Sequence, residues 1–235
     1  MASWSIHLTI AKELNNKLKL EKNSFYFGNL LPDVDEICKI NRFNTHYYNE
    51  KLPFPKCPKA LMIDTKKFLD DYKEDIKNPL ILGYYCHLLV DNYYNNLVCS
   101  NYWIQDRNHN IVGVKLKNGS IKKINSTDKI LKKYKHGDFE LYGRYLFKNI
   151  NLPIIENNKE IFKNVKYLKN KFYTKDLVMQ RLNYLETNFI DFNKLSFKEK
   201  IIKHNYKMFT KEKLDIILEE CIYYVLEKLK EIGIE

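Results

Sequence analysis

The sequence has few residues that interrupt regular structure, and it has no long apolar run. Only 7 glycines and 6 prolines occur in 235 residues, while 45% of the residues are hydrophobic and 14% are aromatic. This composition excludes a disordered, collagen-like or low-complexity chain and predicts a folded protein with a sizeable core. The longest uninterrupted apolar stretch, residues 79–90, is shorter than the roughly 20 residues that a bilayer requires. We therefore predict no membrane-spanning segment.

Cysteines paired at CxxC spacing are also absent. The five cysteines are dispersed, which favours buried thiols over a disulfide framework: Cys38, Cys57, Cys86, Cys99 and Cys221. The first residues, MASWSIHLTI, have neither the cationic start nor the apolar region of a secretory signal. We therefore expect a cytoplasmic protein, and the length favours one domain over residues 1–235.

The excess of positive charge is confined to one segment. The chain has a formal net charge of +11, and residues 115–175 contain 16 basic against 5 acidic side chains. The rest of the chain is therefore balanced. This segment is typical of a surface that faces a phosphate-rich partner, either an anionic membrane or nucleic acid. A solvated lysine face without a partner is the alternative.

Hydrophobic periodicity predicts a mainly α-helical protein. Apolar residues recur at three- and four-residue steps from Trp4 onward, which predicts an amphipathic first helix. Asn78 and Pro79 open the most apolar element, which we predict to be the central buried helix. Asp64 is predicted as the N-cap of a further helix. A last amphipathic helix is predicted from about Phe209, where Thr210 precedes a Leu/Ile run. Other helical patterns begin near Ser126 or Thr127, Asn158 and Tyr173.

Two segments lack helical periodicity. Residues 111–124 alternate in polarity on both sides of Asn118-Gly119, which is a strong hairpin signal. Residues 38–59 contain several prolines and are predicted to form an irregular connection that carries the dipeptide Thr45-His46. The predicted fold class is thus mainly α: a single-domain helical bundle with one small inserted β-hairpin near residues 111–124.

Several of the few histidines have reasons to point inward. His87 and Asp91 are four residues apart in the most apolar helix, so the imidazole and the carboxylate share one face. A charge in such a helix needs a partner. His7 lies on the inward face of the first helix, Asp33 at a proline-marked bend, and His46 in the irregular segment. Singly, each could be a core histidine, a capping aspartate or half of a buried hydrogen bond; together they suit Zn²⁺.

The segments around these residues resemble the zinc-dependent phospholipase C family, whose superfamily also contains the S1/P1 nucleases. The matching signatures are Trp4-Ser-Ile-His7, Gly28-Asn-Leu-Leu-Pro32-Asp33, Thr45-His46 and Gly83-Tyr-Tyr-Cys-His87-Leu-Leu-Val-Asp91. They follow one another in that order over about the first hundred residues. The resemblance implies an all-helical bundle around one to three zinc ions. It also implies that one zinc is bound by Asp33, His46, His87 and Asp91, and that His7 with Asp91 helps to hold another.

The sequence departs from the secreted members of this family at two places. Those members expose a tryptophan as their first mature residue to bind metal, whereas Trp4 here follows three residues. They also have a histidine where this chain has Leu97. A later cluster, His136 with Asp138 and Glu140, has the HxxxE spacing of the family's final pair. It either completes a second metal site or forms a solvated helix start. The chain thus resembles a short, intracellular bacterial member.

The resemblance implies a zinc-dependent phosphoesterase, with a phospholipid headgroup or another phosphodiester as substrate and with Asp33 orienting the attacking water. One alternative is a nuclease or phosphatase with the same metal cluster. Another is a catalytically silent, metal-stabilised protein that binds anionic surfaces through residues 115–175. Aromatic residues near the predicted site either line a cleft or belong to the core. His109 and His204 are predicted to be surface residues.

Overall fold

The computed structural model describes residues 2–34, 40–124, 131–153, 155, 158–194 and 205–234. Within these ranges the α-helices are Trp4–Leu18 (α1), Lys22–Gly28 (α2), Arg42–His46 (α3), Thr65–Asp71 (α4), Pro79–Asn101 (α5), Gly137–Asn149 (α6), Asn158–Asn164 (α7), Lys175–Lys194 (α8) and Lys211–Glu231 (α9). The strands are Tyr48–Phe54 (β1), Cys57–Ile63 (β2), Trp103–Gln105 (β3), Ile111–Lys115 (β4) and Ile121–Lys123 (β5). Short 3₁₀ turns lie at Leu31–Val34 and Val165–Tyr167, and a π-helical turn at Leu131–His136. The predicted mainly α fold is confirmed.

Helix α5 is the buried centre of the fold, as predicted. Asn78 caps it, since its Oδ1 accepts a hydrogen bond from the backbone N–H of Leu80 at 3.0 Å, and Pro79 occupies the first turn. Every residue from 80 to 92 is buried. Helix α5 meets α2 at close range because a Cβ at Gly83 would lie 2.2 Å from a backbone oxygen of α2. This close approach brings the end of α2 beside the middle of α5.

The other long helices cover α5. Helix α1 packs against α6 and α9, and its buried face includes His7. The predicted cap Asp64 is confirmed, since it accepts a hydrogen bond from the N–H of Lys67 at 2.9 Å. Thr210 caps α9 in the same way and accepts a hydrogen bond from the N–H of Lys213 at 3.2 Å. One hydrophobic cluster extends from the first residues of α1 to the end of α9. A single domain over the whole chain stays a prediction.

The predicted hairpin is present, and a third strand joins it. Strands β4 and β5 pair in antiparallel register with Gly113 opposite Lys123, and Gly119 in the turn has a φ of 83°. Glycine is favoured at this position because other residues rarely adopt a left-handed backbone. Strand β3 pairs with β4 on the other side, which the sequence analysis missed.

The prediction of an irregular connection over residues 38–59 is wrong for most of that segment. It contains helix α3 and strand β1, which pairs with β2 in an antiparallel ribbon. Proline is tolerated here because each strand of a two-stranded ribbon is an edge, where an N–H is dispensable. The register shifts between Tyr48 and Pro53 accordingly. The sequence therefore did not predict the β1–β2 hairpin, because its prolines suggested a loop.

The remaining predictions concern membrane spans, surface histidines, cysteines and location. No helix in the described part of the chain is long and apolar enough to cross a membrane. His109 is exposed, and its φ is 59°. Four cysteines are buried free thiols: Cys57, Cys86, Cys99 and Cys221. Cys38, His204 and the predicted helix start at Ser126 or Thr127 lie outside the described residues, and the cytoplasmic location stays a prediction.

Candidate metal centre

Five of the eight predicted site residues converge on one buried centre. His7 comes from α1, Asp33 from the 3₁₀ turn after α2, His46 from the end of α3, and His87 and Asp91 from α5. Each is at most 1% exposed. Their side chains form two triads, His7/Asp33/His87 and His46/His87/Asp91, and the ligand atoms in each triad lie within 4.8 Å of one another.

Hydrogen bonds fix the orientation of two of the imidazoles. His87 Nδ1 lies 2.7 Å from the backbone oxygen of Asn29, which follows α2. Because a carbonyl oxygen only accepts, Nδ1 carries the proton and Nε2 keeps its lone pair, 3.3 Å from His46 Nε2. His46 Nδ1 similarly contacts the hydroxyl of Thr45 at 2.8 Å. Such support of the remote ring nitrogen is typical of histidines that bind metal through the other nitrogen.

Other polar atoms of the centre are buried without a hydrogen bond. Both nitrogens of His7 and both carboxylate oxygens of Asp91 have no hydrogen-bond partner among the described residues. His7 Nε2 and Asp91 Oδ1 are 3.5 Å apart, which is too long for a good hydrogen bond. Burying such groups unpaired is costly, and a divalent cation between them removes the cost. Imidazole nitrogen and carboxylate oxygen are zinc ligands, so the residues present fit zinc.

The protonation states also suit a metal. Burial and the neighbouring His7 lower the pKa of His87 to about 3, so that this imidazole is neutral at physiological pH. Burial alone would raise the pKa of Asp33, but a hydrogen bond with His46 and the charge of Arg42 are among the contacts that lower it well below its usual range. The neighbouring His7 likewise lowers the pKa of Asp91 in spite of its burial. Neutral imidazoles and ionised carboxylates are the forms that bind metal.

Arg42 reaches into this centre, and the sequence analysis missed it. Its Nη2 donates a hydrogen bond to Asp33 Oδ1 at 3.1 Å, contacts His46 Nε2, and lies 3.6 Å from Asp91 Oδ2. The side chain is 25% exposed, so it connects the surface to the buried donors. The four-residue spacing of Arg42 and His46 is the one signal that could have revealed it, because it places both on one face of a helix.

Lys135 is a second buried cation near the centre, also missed. It is 4% exposed, and its Nζ donates a hydrogen bond to Asn95 Oδ1 at 2.6 Å. Asn95 follows His87 and Asp91 at four-residue steps, so all three share one face of α5. Burial lowers the pKa of Lys135, and the Asp91 carboxylate opposes that shift. The Asp91 carboxylate is therefore within electrostatic reach of Lys135.

The three residues of the later cluster are not brought together. Asp138 is buried, and its carboxylate accepts hydrogen bonds from the backbone N–H groups of residues 207–209 at 2.6–3.0 Å. Glu140 is exposed and pairs with Arg144 at 2.7 Å, and His136 is exposed at the end of the π-helical turn. No ligand group includes them in the part of the chain that the structure describes. A second metal site at these residues stays a prediction.

The aromatic residues near the centre belong mainly to the core. Tyr84 and Tyr94 are fully buried and Tyr85 is 3% exposed. Tyr84 donates a hydrogen bond to the backbone oxygen of Thr45, which precedes His46. This contact holds α3 against α5, so that these rings support the centre from within the core.

One protein family matches most of the chain. A family model described as zinc dependent phospholipase C matches residues 6–188. The match covers more than three quarters of the chain and contains every predicted site residue. No curated protein and no solved structure matches the chain.

Proposed function

The chain belongs to the zinc-dependent phospholipase C family, and we propose that it is a zinc-dependent phosphoesterase that hydrolyses a phosphodiester, with a phospholipid headgroup as the favoured substrate. The observation that supports this proposal is the buried centre in which the donor atoms of His7 and Asp91 have no hydrogen-bond partner among the described residues. We propose His7, Asp33, His46, His87 and Asp91 as the residues that hold zinc.

The chemistry follows from the charges of the centre. Zinc, when bound, polarises phosphoryl oxygens and makes water acidic enough to attack at neutral pH. Asp33 remains ionised and is proposed to orient that water and accept its proton. Arg42 and Lys135 add fixed positive charge, which is most effective in a buried site because little water screens it. The chain's own residues would thus orient the nucleophile and stabilise the phosphoryl charge.

Hydrolysis is tested with zinc-loaded protein on four substrates: bis(p-nitrophenyl) phosphate, p-nitrophenyl phosphate, phosphatidylcholine vesicles and single-stranded nucleic acid. We expect phosphodiester cleavage that a chelator abolishes and zinc restores. Asp33→Asn should lower the rate about 10²–10⁴-fold, because an amide cannot accept the proton. The matched control is Asp71→Asn, in an exposed pair with Lys67, which should retain the wild-type rate.

The outcomes separate the proposal from its rivals. Cleavage of the monoester or of nucleic acid in preference to the vesicles would assign the same centre to a phosphatase or a nuclease. Zinc-loaded protein that cleaves none of these substrates would refute the proposed hydrolysis and favour a metal-stabilised binding protein.

Binding to an anionic lipid surface is a second candidate function, and one feature favours it. Strand β5 and its neighbours present exposed lysines around Ile121, which is 58% exposed. These lysines are Lys115, Lys117, Lys122 and Lys123. An apolar side chain within a basic surface suits a lipid headgroup layer better than nucleic acid, because it can enter the acyl boundary while the lysines meet phosphates. We therefore propose that this hairpin contacts anionic lipid.

A further inference from the structure

Arg181 on α8 is a buried cation with no part in the proposed chemistry. Its side chain is 0% exposed, although it is among the largest in the protein. A guanidinium stays charged at every accessible pH, so its burial is costly unless its N–H groups and its flat face find partners. The contacts of this side chain therefore indicate what it does in the fold.

The first contact of Arg181 holds the segment that follows α2. Its Nη2 donates a hydrogen bond to the backbone oxygen of Leu30 at 3.1 Å. The backbone oxygen of the preceding residue, Asn29, is the one that lies 2.7 Å from His87 Nδ1. Asp33 follows Leu30 by three residues, in the 3₁₀ turn. The guanidinium therefore fixes the chain between the group that orients one proposed zinc ligand and a second proposed ligand.

The second contact of Arg181 holds the start of α1. Its Cζ lies 4.3 Å from the centroid of the Trp4 ring, and Tyr184 meets the same ring edge to face with the centroids 5.5 Å apart. Trp4 precedes His7 by three residues, so the two side chains are about one helical turn apart. A guanidinium can stack through its face while it donates in its plane, which allows both contacts at once.

We propose that Arg181 is a positioning residue for the metal centre: it holds the chain from Asn29 to Asp33 against α1, so that the proposed zinc ligands His7, Asp33 and His87 keep their spacing. A lysine has no flat face to stack on the ring, and an apolar residue has no donor for the carbonyl oxygen. The inference rests on the proposed function for the identity of the ion as zinc, but it does not depend on hydrolysis.

The test is the zinc affinity of Arg181→Met, measured on the folded protein by competition with a chromogenic chelator. We expect a loss of about 10–100-fold, because residues that orient metal ligands typically contribute this much. Arg181→Lys should lose less, since its ammonium can still donate to the Leu30 oxygen. Leu182→Ala is the matched control, because Leu182 is the next residue of α8 and is 5% exposed. This variant should unfold more easily but bind zinc as tightly as wild type.

A spectroscopic measurement separates positioning from a general loss of stability. Cobalt(II) is loaded in place of zinc, because its visible absorption reports the arrangement of its ligands. Arg181→Met should weaken or shift the cobalt band, whereas Leu182→Ala should reproduce the band of wild type. An unchanged zinc affinity and cobalt band in Arg181→Met would overturn the proposal, and so would equal changes in Leu182→Ala.

Two tryptophan variants decide the question even if Arg181→Met does not fold. Trp4→Leu removes the ring on which the guanidinium stacks, and it should lower zinc affinity by about 3–30-fold, up to the strength of a desolvated cation–π contact. Trp4→Phe keeps an aromatic face and should remain closer to wild type. A zinc affinity of Trp4→Leu equal to that of wild type would overturn the proposal.

The outcomes for Arg181 and for the proposed function are distinguishable. Unchanged zinc affinity in Arg181→Met, with hydrolysis by wild type, would overturn the role of Arg181 and leave the hydrolase intact. Wild type that binds zinc but cleaves no phosphoester would refute the proposed function, while a loss of affinity in Arg181→Met would still support the positioning role. Wild type that binds no zinc would overturn both.

Discussion

Replacing His87 with alanine should remove zinc-dependent stabilisation of the fold. The imidazole is fully buried, and His87 is the residue that belongs to both triads. Metal that binds only the folded chain stabilises it by mass action. We therefore expect zinc to raise the melting temperature of wild type but not that of His87→Ala.

The size of the effect follows from general magnitudes. Free zinc at 100 to 1,000 times its dissociation constant stabilises the folded state by about 2.7–4.1 kcal/mol. For a chain of this length, each kcal/mol shifts the melting temperature by about 2–4 °C. Wild type should therefore melt about 5–16 °C higher with zinc than with a chelator. His87→Ala should show a shift close to zero, on top of a lower baseline caused by the unpaired Asn29 oxygen.

The assay is thermal unfolding by circular dichroism, with and without zinc, accompanied by elemental analysis. Asn92→Ala is the matched control, because Asn92 is also buried on α5 and exchanges two 2.8 Å hydrogen bonds with the backbone of Ile63. It should lower the baseline but keep the full zinc-dependent shift. A zinc-dependent shift of equal size in His87→Ala and wild type would refute the assignment of the metal centre.

Three further predictions test neighbouring features. Lys135→Met should lower the phosphodiester rate about 10–100-fold without loss of zinc, because a charged hydrogen bond to phosphate is worth about 1.5–3 kcal/mol. Lys133 is exposed two residues earlier, and Lys133→Met should keep the wild-type rate. Equal losses of rate in the two variants would contradict the role of Lys135. Asp138→Ala should lower the free energy of unfolding by about 2 kcal/mol or more, measured in urea, because buried N–H groups lose their acceptor. Loss of zinc from this variant would instead support a second metal site. Changing Lys122 and Lys123 to glutamate should weaken co-sedimentation of the protein with anionic vesicles. Binding of wild type to these vesicles should fall with salt, because exposed charges are screened over about 8 Å. Vesicle binding that does not change with salt would contradict a basic docking surface.

The sequence alone predicted the local features of this protein. The pair His87 and Asp91 lies on one face because the helix repeat requires it, and Asn78, Asp64 and Thr210 cap helices because their side chains bond to nearby N–H groups. Each of these contacts spans four residues or fewer, so periodicity and residue type suffice to foresee it. The β4–β5 hairpin was predictable for the same reason.

The prolines after His46 led to one wrong prediction. Their density after His46 suggested a loop, whereas β1 and β2 pair in a ribbon. Whether a proline fits in a strand depends on whether its missing N–H would face a partner strand or solvent. Only the pairing of the strands determines which of the two it faces.

The composition of the centre was settled by tertiary structure. His87 meets the Asn29 oxygen 58 residues away and His46 41 residues away, and Asp138 finds its donors about 70 residues along the chain. Arg42 resembles any surface arginine in the sequence, yet the packing of α3 against α5 places its guanidinium among the donors. The sequence determined which side chains can bind a metal, because that is a property of residue type. Only the fold decided which of them meet and which cation accompanies them, because those contacts join segments that no local pattern connects.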